Sequence, residues 1–423
     1  MIARTAAAAL ATLLLIVTSV SSCAPSSATP SATPGQFDWP MYRGDLQRDG
    51  HPPGATLTAR RAAGLHPLWT ATPGGAIDGT PVVVGQTVFA GTESGTLAAF
   101  DLRTGRQAWG VGGLGKITAS PAVAGGVVVI GSNNGHVYGV RASDGHRLWD
   151  WTAPGDQPAI WSSPAVSGGV AVIGVADQYG DSPPLQGSIA ALDLATGRQR
   201  WEFRGDGAGV WSSVAIDAAG RGFVGLGNPD DGLMAVNLAT GAMLWMVSFH
   251  PDAGRDLDVG ATPVIGSVGG REVVGAGSNG GVFEMLDAAT GAAVWTRFVV
   301  PGSAVHGLIA SPAFDGTAVY VPSASPPTGM NALDPATGEY FWQQLTDLPI
   351  YSAPAAGADV VVFGTGDVFG DPGAGKMFAL STRDGSVVWS YDMKSSVVSA
   401  PAISGDDVLV GDTAGALTAF GPD

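Results

Sequence analysis

Residues 191–201 read Ala-Leu-Asp-Leu-Ala-Thr-Gly-Arg-Gln-Arg-Trp, and this stretch decides the fold because its pattern recurs along the chain. Two small or apolar residues precede a polar one, a turn ends in glycine, and tryptophan follows four positions later. The polar residue, glycine and tryptophan of the seven copies are Asp101, Gly105 and Trp109; Arg141, Gly145 and Trp149; Asp193, Gly197 and Trp201; Asn237, Gly241 and Trp245; Asp287, Gly291 and Trp295; Asp334, Gly338 and Trp342; and Ser381, Gly385 and Trp389. Successive tryptophans are 40 to 52 residues apart, a period that is typical of repeat architectures.

Each copy closes a unit of four short predicted strands. A unit opens with a Ser/Thr-Pro step and alternating apolar residues, as in Ser120-Pro121-Ala122-Val123. Proline suits the first position of a strand because no ladder hydrogen bond is lost there. Glycine-containing turns separate the later strands, and the flat indole of the last strand is expected to dock between neighbouring units. This pattern predicts an all-β propeller built from four-stranded antiparallel blades.

The number of blades follows from the two ends of the repeat. The eighth unit, residues 397–420, supplies three strands and no tryptophan. A lone strand at residues 65–70 contains Trp69, which precedes Trp109 by 40 residues. We therefore predict eight blades, with the N-terminal strand completing the last one. Such a closure removes the open sheet edges that favour aggregation.

Charge and cysteine content exclude several kinds of partner and site. The chain has 20 Lys+Arg against 36 Asp+Glu, a net charge of −16, and so lacks the basic face that nucleic acid binding requires. Cys23 is the only cysteine. An intramolecular disulfide, a thiolate zinc site and a Cys-x-x-Cys-His haem attachment are therefore excluded. We expect packing alone to hold the fold.

The first residues predict export. Residues 1–22, with Arg4 and an apolar stretch at 6–17, have the form of a signal peptide. They end in Val-Ser-Ser before Cys23, which resembles the bacterial lipoprotein box, in which this cysteine carries the lipid. An ordinary signal peptide with an incidental cysteine is the alternative. Residues 23–37 are rich in Ala, Pro, Ser and Thr and are expected to tether a propeller at residues 38–423 to the membrane. The expected product is an extracytoplasmic, lipid-anchored monomer.

The repeat Ala-Leu-Asp-x-x-Thr-Gly-x-x-x-Trp, followed by Ser-Pro-Ala-Val, resembles the pyrroloquinoline quinone (PQQ) repeat of the tryptophan-docking propeller family. The resemblance covers residues 65–422, and residues 38–45 (Asp-Trp-Pro-Met-Tyr-Arg-Gly-Asp) resemble the segment that precedes many such propellers. It implies an eight-bladed propeller. It does not fix the function, because the family includes quinoprotein dehydrogenases and the lipoprotein subunit of the outer-membrane barrel assembly machinery.

Propeller ligands usually lie over the central channel, where loops lead into the innermost strands. The residues before each Ser-Pro step should line this mouth: Asp78, Lys116, Thr118, Trp161, Trp211, Asp256, Asp258, His306, Tyr351 and Lys394. In this set Trp161 or Trp211 would stack a planar ligand, with Tyr351 as a further contact. Lys116 or Lys394 would hold its carboxylates.

Three segments, residues 160–164, 210–213 and 256–263, resemble stretches of PQQ-dependent alcohol and polyvinyl alcohol dehydrogenases. In those enzymes Ca²⁺ polarises the quinone, and an aspartate takes the substrate proton while hydride leaves to the quinone. The resemblance makes Asp258 the candidate base, with Asp256 second. Polar channel residues satisfied by water are the alternative interpretation.

Two hypotheses about function follow. The first is a membrane-tethered propeller that binds a protein, small-molecule or polymer partner without chemistry, resembling the barrel-assembly lipoprotein in anchor, size and blade number. The second is a PQQ- and Ca²⁺-dependent alcohol dehydrogenase of the polyvinyl alcohol type, without the adjacent-cysteine disulfide and the haem of many members. Long loops at residues 175–186 and 364–376 each place an aromatic residue among carboxylates, which suits a partner patch, a Ca²⁺ loop or simple solvation.

Overall fold

The computed structural model describes residues 37–52, 54–177, 187–204, 208–250, 256–369 and 373–422. The signal peptide, Cys23 and nearly all of the tether lie outside these ranges. In the part that is described, no helix is long and apolar enough to cross a membrane.

Short antiparallel strands make up almost all of the described chain. A four-residue helix, α1 (Ala59–Ala62), and strand β1 (His66–Ala71) come first. Blades 1 to 4 then follow as β2 (Val82–Val84), β3 (Thr87–Gly91), β4 (Leu97–Asp101) and β5 (Gln107–Val111); β6 (Ala122–Ala124), β7 (Val127–Gly131), β8 (His136–Arg141) and β9 (Arg147–Thr152); β10 (Pro158–Ala159), β11 (Ala165–Ser167), β12 (Val170–Asp177), β13 (Ser188–Asp193) and β14 (Gln199–Arg204); and β15 (Ala215–Ile216), β16 (Arg221–Leu226), β17 (Gly232–Asn237) and β18 (Met243–Ser248).

Blades 5 to 8 repeat the same arrangement. They consist of β19 (Val264–Val268), β20 (Arg271–Gly277), β21 (Val282–Asp287) and β22 (Ala293–Phe298); β23 (Ala313–Phe314), β24 (Val319–Ser323), β25 (Gly329–Leu333) and β26 (Tyr340–Leu345); β27 (Ala355–Ala356), β28 (Val360–Thr365), β29 (Lys376–Ser381) and β30 (Val387–Asp392); and β31 (Ala402–Ser404), β32 (Asp407–Gly411) and β33 (Leu417–Gly421). Each strand pairs antiparallel with the next in its blade, and β10 adds a two-residue ladder to β12. The all-β, eight-bladed fold is confirmed.

The eighth blade is closed by the N-terminal strand, as predicted. Strand β1 pairs antiparallel with β33, from His66 opposite Gly421 to Ala71 opposite Leu417. The fourth strand of this blade is therefore supplied from the other end of the repeat. No sheet in the described chain is left with only three strands.

The core lies between the faces of adjacent blades, and eight tryptophans join the blades at its outer side. Each indole N–H donates a hydrogen bond of 2.8–3.2 Å to a backbone carbonyl of the next blade. The pairs are Trp69 with Leu102, Trp109 with Ala142, Trp149 with Leu194, Trp201 with Leu238, Trp245 with Ala288, Trp295 with Pro335, Trp342 with Thr382, and Trp389 with Leu65 just before β1. The predicted docking between blades is thus present all around the ring.

Residues 37–50 form a plug across one end of the ring. Taken in chain order, the backbone carbonyls of the plug accept hydrogen bonds from backbone N–H groups in the innermost strands of blades 1, 2, 4, 5, 6 and 7. Examples are Val123 N–H to Pro40 O (2.8 Å) and Phe314 N–H to Asp49 O (2.8 Å). Two fully buried arginines fasten the plug further. Arg43 donates to Pro312 O (2.7 Å) and to Pro354 O, and Arg48 donates to Val214 O (3.1 Å) and Pro164 O (3.0 Å).

Candidate functional site

The Ser and Thr residues that open the innermost strands form most of a ring of hydrogen bonds around the central axis. From blade 1 to blade 6, the backbone N–H before each strand donates to the side-chain hydroxyl of the next blade at 2.8–3.0 Å. The donors and acceptors run Thr80 to Ser120, Ser120 to Ser163, Ser163 to Ser213, Ser213 to Thr262, and Thr262 to Ser311. Alanine occupies this position in the two remaining blades, at residues 353 and 400, and has no hydroxyl to accept. The hydroxyl therefore joins blades, a role that the sequence pattern alone did not indicate.

A cavity of about 170 Å³ lies on the axis inside this ring, lined by residues of all eight blades. The plug supplies its floor through Tyr42, whose phenol donates to Ser311 Oγ (3.0 Å). Because the plug closes one end of the channel, the site has a single mouth. Of the ten residues expected at this mouth, the cavity wall contains Asp78, Thr118, Trp161, Trp211 and Tyr351.

Two half-buried indoles form one side of the wall. The ring centroids of Trp161 and Trp211 are 5.8 Å apart and their planes are inclined by 48°. Trp161 Nε1 donates to Asp177 O at 3.2 Å, which fixes one ring. At this separation and tilt no third ring fits between the two indoles. A planar ligand would therefore rest against one of them, with the favourable offset or edge geometry of aromatic pairs.

A cluster of three carboxyl groups, the acid cluster (Asp231, Asp256 and Asp258), adjoins the indoles between blades 4 and 5. Asn228 donates from its backbone N–H to Asp258 Oδ1 and from Nδ2 to Asp256 Oδ1, both at 3.1 Å. Asp258 and Trp211 converge at Gly227, where a Cβ would lie 2.8 Å from Asp258 Oδ1 and 3.0 Å from Trp211 Nε1. Glycine suits position 227 because the side chains of Asp258 and Trp211 lie close to its Cα.

Burial is the main cause that makes Asp258 titrate near neutral pH. Burial and, after it, the neighbouring carboxylates of Asp256 and Asp231 together raise the pKa of Asp258 to about 8. Asp231 is fully buried, and burial raises its pKa to about 6. A hydrogen bond with the Asp258 carboxyl acts in the opposite direction and lowers the pKa of Asp231, and the φ of Asp231, 40°, is left-handed. A strained backbone beside carboxyl groups that face one another is typical of functional sites.

The opposite wall of the cavity contains a second acidic pair. Burial raises the pKa of Asp78 to about 7, and a hydrogen bond with Glu93 adds to the shift. Lys116 Nζ lies 2.6 Å from Glu93 Oε1. Because Glu93 already engages the charge of Lys116, a carboxylate ligand would have to compete for it. Lys394 is exposed and does not line the cavity, so it contacts only a ligand that extends beyond the mouth.

Aromatic side chains continue outward from the cavity on the side of blades 6 and 7. This aromatic rim consists of the rings of His306, Tyr351 and Phe369 together with the neighbouring Val305. The ring of Phe369 lies 5.6 Å from that of Tyr351 and 6.4 Å from that of His306, and Tyr351 OH donates to Val305 O (3.3 Å). Burial raises the pKa of Tyr351 to about 12, and the charge of Asp367 raises it as well. Phe369 lies in the second long loop, of which residues 370–372 are outside the described chain.

Several site residues carried no clear signal in the sequence. Tyr42 is distant in sequence from the other wall residues, and Asn228 and Asp231 belong to a turn between the second and third strands of blade 4. The only feature of the sequence that pointed to Asp231 is the pair of adjacent aspartates, Asp230 and Asp231, in a short turn. Within the described ranges, no three or more His, Cys, Asp or Glu side chains are placed to hold a metal ion by themselves.

Comparison with known proteins gives relatives of two kinds. The family model described as outer membrane protein assembly factor BamB matches residues 55–204, 95–344 and 329–423. The chain is 24% identical over 407 residues to the polyvinylalcohol dehydrogenase of Sphingopyxis sp. (strain 113P3), covering 77% of this chain and 62% of that protein. It is 29% identical over 378 residues to outer membrane protein assembly factor BamB of Burkholderia pseudomallei (strain K96243), covering 84% and 87%. The chain thus spans less than two thirds of the dehydrogenase's length.

Among solved structures, the quinohemoprotein alcohol dehydrogenase from Comamonas testosteroni is similar, with a TM-score of 0.81. The match covers 92% of this chain and 81% of that one, at 18% sequence identity. At this identity the likeness establishes the eight-bladed fold alone.

Proposed function

Because the chain belongs to the PQQ-repeat propeller family that includes BamB, we propose, as the function its site supports best, a PQQ- and Ca²⁺-dependent alcohol dehydrogenase. This was the second of the two sequence hypotheses. The observation that carries it is the acid cluster, in which Asp258 lies behind the cavity wall and converges at Gly227 with Trp211, a residue of that wall. A non-catalytic scaffold has no need of a fully buried carboxyl group, Asp231, that faces two partly buried ones, since burial and mutual repulsion of carboxylates cost free energy.

The residues present offer part of the ligand set of a hard cation and an aromatic surface for a planar acid. Ca²⁺ takes six to eight oxygen ligands, including carboxylates, amide carbonyls and water. Asp256 and Asn228 would supply part of such a set, and a cation would relieve the repulsion among the carboxylates. Trp161 or Trp211 would support the ring system of PQQ, with Tyr351 across the cavity and Lys394 near its carboxylates. When bound, PQQ supplies the acceptor for the hydride that the alcohol loses.

Asp258 is the proposed base, with Asp256 as its neighbour in the cluster. Its carboxylate would accept the proton of the substrate hydroxyl, a role for which a pKa near the operating pH is favourable. A cation beside it would favour the ionised form and so increase the fraction of active base at neutral pH. The hydrogen bond from the Asn228 backbone to Oδ1 orients the carboxylate.

Localisation completes the proposal. We place the propeller outside the cytoplasm, exported by residues 1–22 and held to a membrane by a lipid on Cys23. In that position the protein would meet alcohols from the surroundings, and its electrons would pass to an external acceptor.

Calorimetric titration of residues 38–423 with PQQ, with and without Ca²⁺, tests this function. We expect saturable binding of one PQQ per chain that depends on Ca²⁺ and is lost in Asp258→Ala. Asp193→Ala, which removes an exposed carboxylate on an outer turn, is the matched control and should bind as the parent does. Absence of saturable PQQ binding to the parent protein would refute the proposal.

The scaffold remains a second candidate because of the outer strands of two blades. Met243, Leu244 and Met246 on β18 are 51%, 47% and 42% exposed, and Phe341 and Leu345 on β26 are 55% and 61% exposed. Exposed apolar side chains along an open strand edge favour contact with a protein partner. Leu244→Lys should then weaken recovery of the protein with a membrane complex and leave PQQ binding unchanged. Unchanged recovery would argue against a partner at β18.

A further inference from the structure

We propose that the end of the ring closed by the plug, the plug face, binds anionic lipid head groups through exposed arginines of blades 1 to 3, so that the cavity mouth opens away from the membrane. The inference goes beyond the proposed function and rests on it only for the placement of the protein at a membrane. The surface is the basic sector, which consists of Arg103, Arg106, Arg141, Arg147, Arg198 and Arg200.

The basic sector lies on the plug face. Its arginines stand in or directly after the turns between the third and fourth strands of their blades. Those turns are bonded to the turns between the first and second strands, as in Leu102 N–H to Gln86 O and Ala142 N–H to Gly126 O, both at 2.9 Å. The plug pairs with the innermost strands beside these same first turns. The arginines are therefore at the end of the ring opposite the mouth.

Arginine is concentrated in three consecutive blades. We compare the eight residues from the polar residue of each repeat to the residue before tryptophan. In blades 1 to 3 they include the six arginines of the basic sector and three acids, Asp101, Asp144 and Asp193. In blades 4 to 7 they include one arginine, Arg383, and four acids, Asp287, Asp334, Glu339 and Asp384. One side of the plug face is thus positive and the other negative.

Most of the positive charge is available to a ligand. Two arginines of the sector are held in ion pairs, Arg141 with Asp144 at 2.8 Å and Arg200 with Asp193 at 2.7 Å. The other four are exposed, and in the described chain no carboxylate lies within ion-pair distance of them. These four are Arg103, Arg106, Arg147 and Arg198. Guanidinium groups in such positions suit the phosphates of lipid head groups.

The net charge of −16 does not oppose this contact at close range. Strands of five or six residues, such as β4 and β8, separate the plug face from the acids around the mouth by roughly 17–20 Å. The Debye length at physiological ionic strength is about 8 Å, so those acids are largely screened from a surface beneath the plug. The acidic turns of blades 4 to 7 are repelled, which tilts blades 1 to 3 toward the bilayer.

The chain enters the propeller on the same face. Ser404 Oγ donates to Phe37 O (2.9 Å) beside the first turn of blade 8, and Gly85 N–H donates to Asp38 Oδ1 (2.8 Å) at the first turn of blade 1. Residues 23–37, with the proposed lipid on Cys23, therefore join the ring at the plug face. The point of attachment and the charge are independent observations, and both favour this face as the one next to the membrane.

The test is co-sedimentation of residues 38–423, which contain the plug and all eight blades, with lipid vesicles. One set consists of phosphatidylcholine, and the other of equal parts phosphatidylcholine and phosphatidylglycerol. The variants are Arg103→Gln and, as a matched control, Arg383→Gln. Both arginines are exposed and stand two positions before the glycine of their repeat. Dextran sulfate, a soluble polyanion, is tested in parallel.

We expect the parent and Arg383→Gln to bind the mixed vesicles equally, less tightly as salt is added, and to leave phosphatidylcholine vesicles unbound. Arg103→Gln should bind the mixed vesicles about fivefold more weakly, since an arginine near an anionic surface contributes about 1 kcal/mol. Absence of binding by the parent, equal binding by the two variants, or tighter binding of dextran sulfate than of vesicles would each overturn the inference. PQQ and the lipid anchor are both absent, so failure here is distinct from failure of the proposed function.

A second measurement tests the orientation. Residues 38–423 contain no cysteine, so Ser143→Cys on the plug face and Lys394→Cys near the mouth each provide a single site for a fluorescent label. With a quencher attached to the head groups of the mixed vesicles, we expect the label at position 143 to be quenched and the label at position 394 to stay bright. Equal quenching, or the reverse order, would contradict the orientation.

Discussion

At the scale of single residues, glycine and tryptophan of neighbouring blades act as a pair. A Cβ on the glycine of each repeat would lie 2.5–2.9 Å from the indole of the preceding blade, too close for any real contact. The same glycines have φ between 67° and 76°, where a side chain is also strained. The repeat therefore needs glycine for two separate reasons, which explains why it keeps a fixed spacing from tryptophan.

The two reasons can be separated by substitution. Gly385→Ala puts a Cβ 2.6 Å from the Trp342 ring at φ 72°, whereas Gly126→Ala has a similar φ of 78° with no atom within 4 Å. We expect Gly126→Ala to lower the free energy of unfolding by about 1 kcal/mol from backbone strain. Gly385→Ala should cost about 1–3 kcal/mol more because the indole must move. Equal losses in urea unfolding would show that the contact with Trp342 is unimportant.

The raised pKa of Asp258 predicts how stability depends on pH. Below pH 3.8 both the folded and the unfolded protein hold the proton; between 3.8 and about 8 only the folded one does, so the free energy of unfolding falls as pH rises. Asp258→Asn has no carboxyl group to ionise, so its free energy of unfolding should not fall in this way. In calcium-free buffer, the Tm of this variant should exceed that of the parent at pH 8 but not at pH 4.

Asp193 provides a control of opposite sign. Its hydrogen bonds from Arg200 and Thr196 lower its pKa, so its carboxylate stabilises the fold above the unfolded value of 3.8 and that stabilisation is lost in more acidic solution. Asp193→Asn should therefore reduce Tm at pH 8. A Tm of Asp258→Asn that follows the parent at every pH would contradict burial as the cause of the Asp258 shift.

At the scale of elements, the plug does two things at once. Its carbonyls pair with the innermost strands of six blades, and its Tyr42 forms the floor of the cavity. Buried arginines are costly unless their donors are satisfied, and here backbone carbonyls from distant blades accept them. The plug is thus part of the fold and part of the site.

Replacing a plug arginine should therefore affect the whole domain. In Arg48→Leu, Val214 O and Pro164 O lose their donor, and we expect a loss of roughly 2–5 kcal/mol in the free energy of unfolding. Arg60→Leu is the control, since Arg60 is exposed on α1. An unfolding midpoint in urea that is the same for both variants would mean that the plug contributes little to stability.

At the scale of the whole molecule, closure replaces covalent cross-links. Cys23 is the only cysteine, so no intramolecular disulfide exists, and the ring is held by eight indole hydrogen bonds and by the pairing of β1 with β33. The β1 strand also supplies Trp69 to blade 1 and, through Leu65 just before it, the acceptor for Trp389 of blade 7. Three blades therefore depend on one strand.

Removal of residues 38–72, which takes away the plug as well as β1, tests this dependence. The truncated chain loses the fourth strand of blade 8 and both hydrogen bonds, and an open sheet edge remains. We expect it to lose cooperative thermal unfolding and to aggregate. Calorimetry that shows a single transition at the Tm of the parent would refute the closure by β1.

The sequence predicted the blades better than the site. Trp161, Trp211, Asp78 and Tyr351 were expected at the mouth because each precedes an innermost strand, and the structure places all four on the cavity wall. The same rule could not find Asp231, which reaches the acid cluster from a different turn of blade 4. Nor could it show that Glu93 engages Lys116.

The sequence by itself determined the ring: the number of blades, the docking tryptophans and the strand that closes the circle. These features could be predicted because each depends on the spacing of residues within one repeat. Local turns and short strands fix that spacing. The tertiary structure alone decided which residues form the site. Tyr42 and Ser311, 269 positions apart, meet only when the plug crosses the closed ring, and Asp231 faces Asp258 only when blade 4 packs against the loop that leads into blade 5. Contacts between distant segments leave no periodic signal, because they depend on how the repeats close and not on any one of them.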